Sequence, residues 1–199
     1  MKATGEVCQS CGTKIVTSEA LVIQPWIQER NYIQIIRHPE VLDLLLKYSS
    51  ASKNKPSVKE VVGKLDLVFG AVSGLSLAYI TEVVVPLYAR LGIKTEKFDS
   101  IELTEPIQRV FVKAVCSLSK NNHALEEFHE AQDGVVLVGK IKSDMRNWGG
   151  KVFIELREEE GLVQAKVQTI LKGQLYDWGK SKSIIKAILE DLQRLELGA

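Results

Sequence analysis

The chain has 199 residues, enough for one domain with a real core or for a domain of about 100 residues plus an appendage. Its 26 Lys and Arg against 25 Asp and Glu leave no global basic field, which excludes binding to a phosphate backbone by overall charge alone. With 45% hydrophobic and 26% charged residues, neither a disordered chain nor a polytopic membrane protein is indicated.

Three cysteines, an odd number, do not make a disulfide framework, and residues 1–12 lack the charged-then-apolar pattern of a secretory signal. A reducing compartment and a cytoplasmic protein are the expectation. Cys8 and Cys11 form a CxxC followed by Gly12, a spacing that lets two thiolates reach one tetrahedral metal. The pentapeptide resembles one knuckle of a zinc ribbon. A closed structural zinc needs four ligands, and outside this pair only Cys116, His38, His123 and His129 offer soft or imidazole donors. His123 and His129 lie six apart in an expected strand, which places them on the same side. Zinc held by Cys8 and Cys11 with these groups, or with a second chain's CxxC, therefore stands against an ordinary turn with free thiols. A redox pair is disfavoured, because the motif does not sit at a strand-to-helix junction.

Between residues 21 and 36, with Pro25 inside and Pro39 shortly after, strand or irregular structure fits as well as helix. From Pro39 the pattern clears: Val41, Leu42, Leu45 and Tyr48 share one face, predicting a helix to about Ser50. Residues 49–56, SSASKNKP, read as a linker. Ser57 and Glu60 then make the SxxE of a capping box, opening a long apolar helix or hairpin over 57–92. Within it, 23 residues from Leu67 to Ala89 carry one charge, Glu82, and Gly70 and Gly74 form a GxxxG. Membrane association through 67–89 is one reading. Glu82, Pro86 and an uncharged run of only 15 residues from Leu67 to Thr81 favour a buried or partner-covered helix instead.

Past Gly92 the texture changes. Residues 98–103 alternate as a strand, and Thr104 is the expected N-cap of an amphipathic helix with Pro106 in its first turn. Ile107, Val110, Phe111, Ala114, Val115 and Leu118 form its apolar face, with Arg109, Lys113 and Lys120 elsewhere. Four strands follow at 123–131, 135–142, about 151–157 and 163–169, with a turn at 158–161. A last helix from Lys180 presents Ile184, Ile185, Ile188, Leu189, Leu192 and Leu195. Short connections predict antiparallel hairpins. The expected fold is α+β: strand, helix, four strands and helix over 97–199, both helices on one face of an antiparallel sheet, after a mostly helical N-terminal region. The divisions are 1–56, 57–92 and 97–199. The sheet's other face is expected to meet solvent, a ligand or a partner.

Two tryptophan turns stand out, Asn147-Trp148-Gly149-Gly150 and Tyr176-Asp177-Trp178-Gly179-Lys180. Trp148 and Trp178 could rim a pocket or close the core, and Asp177 can cap the last helix. The stretch from Lys142 to Leu192, with NWGGKVFIEL, VQAKVQTIL and DWGKSKSIIKAIL, resembles small uncharacterised bacterial α+β domains with a WG turn and a DWGK helix. The resemblance covers about the last 90 to 100 residues and implies the fold without an activity.

No GxSxG, P-loop, HExxH or dinucleotide fingerprint is present, and no catalytic residue is assigned. Glu158, Glu159 and Glu160 read as a solvated hairpin tip, and Lys180, Lys182 and Lys186 as a wetted helix face. The leading functional expectation is a non-enzymatic binding or adaptor module with a protein partner or a second copy, its candidate contact residues being Trp148, Trp178, Asp177 and Glu82. A carrier or enzyme for a small apolar ligand held between sheet and helix is the second class. A zinc-dependent nucleic-acid or protein-binding factor is the third, with nucleic acid disfavoured by the neutral charge balance.

Overall fold

The computed structural model describes residues 6–7, 14–15, 24–50, 95–130, 133–143, 149–171 and 179–198. Two short strands, β1 (Glu6–Val7) and β2 (Lys14–Ile15), pair antiparallel, Glu6 opposite Ile15 and Val7 opposite Lys14. A 3-10 turn (Pro25–Gln28) leads into α1 (Tyr32–Arg37) and α2 (Pro39–Ser50). The helix at α1 has a local cause, since the Asn31 carboxamide oxygen accepts from the backbone N–H groups of Ile33 and Gln34. His38 between them is extended, as the residue before a proline prefers, so two short helices form instead of one.

The second half is the α+β unit that the residue pattern predicts. β3 (Thr95–Leu103) is followed by α3 (Ile107–Lys120), then β4 (Ala124–Glu130), β5 (Gly134–Ile141), β6 (Gly150–Glu159) and β7 (Leu162–Leu171), and finally α4 (Lys180–Arg194). The five strands form one sheet in the order β3-β7-β6-β5-β4, every neighbouring pair antiparallel. β4 to β7 are a meander, and α3 carries the chain across the sheet from one edge to the other. Both α3 and α4 lie on the same face, over Val135, Leu137, Ile154, Leu156, Ala165 and Val167.

α3 departs from the simple amphipathic picture. Every residue from Val110 to Leu118 is buried, because the sheet covers one side and α1 and α2 cover the other. Tyr32 of α1 meets Phe111 of α3 at 4.8 Å between ring centroids, and both rings lie 6.1 Å from Phe128 of β4. Lys113, which lies off the apolar face formed by Ile107 to Leu118, is nevertheless 3% exposed, and its ammonium pairs with Glu105. The same carboxylate reaches Arg109 Nε at 3.3 Å. The N-cap position belongs to Pro106, not Thr104: the Pro106 carbonyl accepts from Arg109 and Val110, and no side chain caps the helix.

Trp26, Ile35, Ile36, Val41 and Leu45 belong to the same continuous cluster as the sheet core. Polar ties fix this outer layer to the end of the chain. Gln24 Nε2 donates to the Leu197 carbonyl at 3.0 Å, and the Tyr48 hydroxyl donates to the Glu196 carbonyl at 2.7 Å. The described residues from Gln24 to Ser49 thus share one core with the sheet and its helices.

Candidate interaction surface

Strand register sorts the side chains of the sheet into two faces. On the face away from the helices, Phe98, Gln168, Phe153, Val138 and Glu127 run in one row across the five strands, and Ser100, Lys166, Glu155, Val136 and His129 in the next. An open second face is not what forms. Val136, Val138, Phe153 and Ile170 are at most 3% exposed, although α3 and α4 pack on the opposite side. The signal was in β5, whose Val135, Val136, Leu137 and Val138 are apolar on both faces, a pattern of strands buried on both sides.

The rim of this face is charged toward β4. Lys151 pairs with Glu127 and, at 3.7 Å, with Glu126, which also holds Lys140 at 3.1 Å. His129 Nε2 lies 3.3 Å from Glu127. Glu155 is half-buried beside Arg157, and burial pushes its carboxyl up, with Lys166 and Arg157 opposing.

The two strand histidines do not share a side. A bulge between Leu125 and Glu127 adds Glu126 to β4, so the alternation slips by one residue. His129 stays opposite Val136 on the second face, while His123 lies toward Leu118 and Gly139 on the helix side. Burial, with the charge of Lys180 second, holds the His123 imidazole down at about 4. Cys116 is fully buried in α3, where burial first and Asp191 second push its thiol up to about 12. Among the described residues no group of three or more His, Cys, Asp or Glu side chains is placed to hold a metal ion.

Cys8, Cys11, Glu82, Trp148, Asp177 and Trp178 all lie outside the described residues, as do the CxxC turn and the apolar run 67–89. Among the described residues no helix is long and apolar enough to cross a membrane. The glycines after the two tryptophans are described. Gly149 and Gly179 both take positive φ, 80° and 82°, in the left-handed region that favours glycine, and Gly179 occupies the N-cap position of α4. Both Trp-Gly pairs thus have a backbone reason for their glycine.

No protein-family model matches the chain, and neither a curated protein nor a solved structure does.

Among the described residues the sheet has two strands with a single neighbour, β3 and β4, and the β3 edge is the more exposed of the two. Among the described residues, β7 is the only strand paired with β3, and Lys97, Phe98, Asp99 and Ser100 are all exposed. Phe98 is 65% exposed on the second face, with Lys166 Nζ 5.1 Å from its ring centroid. On the helix side, Lys97 and Asp99 face Lys182, Ile185, Lys186 and Leu189 of α4 across a groove of about 510 Å³. This surface is legible in the sequence: Phe98 is a large apolar residue whose nearest neighbours in the strand, Glu96, Lys97, Asp99 and Ser100, are all charged or polar.

Proposed function

We propose that the chain is a non-enzymatic binding module acting through protein–protein or self-association, with the β3 edge and the groove beside α4 as its contact surface. The observation that carries this reading is the exposed Phe98, set on an edge strand beside the groove. An edge strand presents a row of backbone donors and acceptors to another chain, and an adjacent aromatic ring supplies apolar contact area. Size-exclusion chromatography with light scattering on the full chain tests it. The expected result is a mass above that of the monomer or a stoichiometric copurifying protein, and a clean monomer that carries nothing would count heavily against it.

A second reading needs the covering of the second face to part, since Val136, Val138, Phe153 and Ile170 form an apolar patch there that is already buried. A small apolar ligand on that patch would make the chain a carrier. Mass spectrometry of organic extracts from native protein separates the two, since a stoichiometric apolar ligand supports the carrier and its absence supports the module.

A further inference from the structure

We propose that β3 pairs with β3 of a second copy about a two-fold axis through Phe98, joining two five-stranded sheets into one of ten strands. This rests on the association reading above and names its partner and register.

A two-fold axis perpendicular to the sheet makes the junction antiparallel and isologous, so each residue meets a fixed counterpart. Residues facing one another must share the orientation of their backbone groups, which restricts the axis to passing through a residue and not between two. Charge then chooses among the candidates. Centred on Phe98, the junction sets Lys97 opposite Asp99 twice, Glu96 opposite Ser100 and Thr95 opposite Ile101, with no like charges facing. Centred on Lys97 or Asp99, it sets that charge against itself, and the Asp99 register also sets Glu96 against Glu102. Centred on Ser100 or Ile101, it pairs no opposite charges within β3. Charges on an edge strand commonly guard against indiscriminate pairing. Here the same charges favour one register, the only one of these that sets opposite charges face to face.

The two faces agree with that choice. Lys97 and Asp99 lie opposite Thr169 and Val167 on the helix side, so both ion pairs form there, beside the groove. Phe98 lies opposite Gln168 on the other side, so the two rings meet at the axis in a contact that withdraws the most exposed large apolar side chain of the described residues. The same axis lays the two α4 helices antiparallel across the junction.

The test uses the full chain and three variants, Lys97→Asp, Asp99→Lys and the double swap, with dimer dissociation measured by analytical ultracentrifugation and folding checked by circular dichroism. Each single variant places like charges together twice and is expected to weaken the dimer by about tenfold or more. The double swap restores both pairs, and so does mixing the two single variants, whose heterodimer is complementary at both positions. A dimer that the single variants leave unchanged overturns this junction while the association reading stands. Weakening that neither the swap nor the mixture rescues also overturns it. A wild-type monomer at every concentration removes self-association altogether and leaves binding to a different protein as the surviving part of the broader reading.

Discussion

Ser117 and Asp191 join the two helices that cover the sheet: the Ser117 hydroxyl of α3 donates to the Asp191 carboxylate of α4 at 2.8 Å, and both residues are buried. Asn121 Nδ2 donates to the same carboxylate oxygen at 2.8 Å, and Lys120 approaches the other. A carboxylate in this position is tolerable only because its oxygens are occupied.

Removing it should therefore cost more than removing any one partner. Asp191→Ala leaves the Ser117 hydroxyl without its acceptor and the Asn121 amide with only its bonds to Ser117, and a loss of about 2–4 kcal/mol is expected from urea unfolding. Ser117→Ala should cost about 1 kcal/mol. Combined, the two should fall short of their sum, because the second change removes a group the first has already stranded. Full additivity would mean the clamp is not a unit.

Acid should loosen the fold through His123. Its ordinary pKa near 6.5 falls to about 4 in the folded protein, so the unfolded chain binds the extra proton between those values. This contribution to stability is complete above about pH 6.5, declines as the pH drops, and is exhausted below about 4. Its upper bound is about 3 kcal/mol, reduced by whatever solvent reaches the ring. Thermal melts from pH 7 to 4 should show a steeper decline for the wild type than for His123→Gln. Parallel curves would remove the histidine from the account.

Two glycines should respond differently to the same methyl group. A Cβ on Gly150 would lie 2.2 Å from the Ile170 carbonyl oxygen and 2.9 Å from the Leu171 Cα, so Gly150→Ala must force β6 from β7. A loss of about 3 kcal/mol or more is expected. Gly161, at the hairpin tip with φ of 79°, has nothing within 4 Å of its Cβ position, so Gly161→Ala incurs the backbone conformational penalty alone, about 1 kcal/mol. Chemical denaturation of both variants gives the comparison, and equal losses would contradict it.

Regular periodicity made much of this fold legible. Val41, Leu42, Leu45 and Tyr48 placed α2, Ile184 to Leu195 placed α4, and alternation in 152–156 and 163–167 placed β6 and β7. Local hydrogen-bonding chemistry is readable too, as Asn31 before α1 shows. What periodicity could not carry was the third dimension. Lys113 reads as a surface residue until α2 closes over α3 and Glu105 reaches it, and His123 and His129 read as neighbours until Glu126 bulges between them. The candidate site was less legible than the fold. Its exposed aromatic and the β3 charges sit within nine consecutive residues, but their meaning depends on β3 being an edge among the described strands and on α4 lying beside it, which the strand alone does not tell.

That pairing also sets an order of events. β4 through β7 close hairpin by hairpin between near neighbours in sequence, whereas β3 must wait for a partner that begins with Val163 opposite Leu103 and ends with Leu171 opposite Thr95. The sheet's largest loop-closure penalty thus falls on this one junction. On loop length alone the meander can close before β3 finds its mate, so the strand offering its outer edge to another molecule also carries the sheet's longest-range pairing on its inner edge.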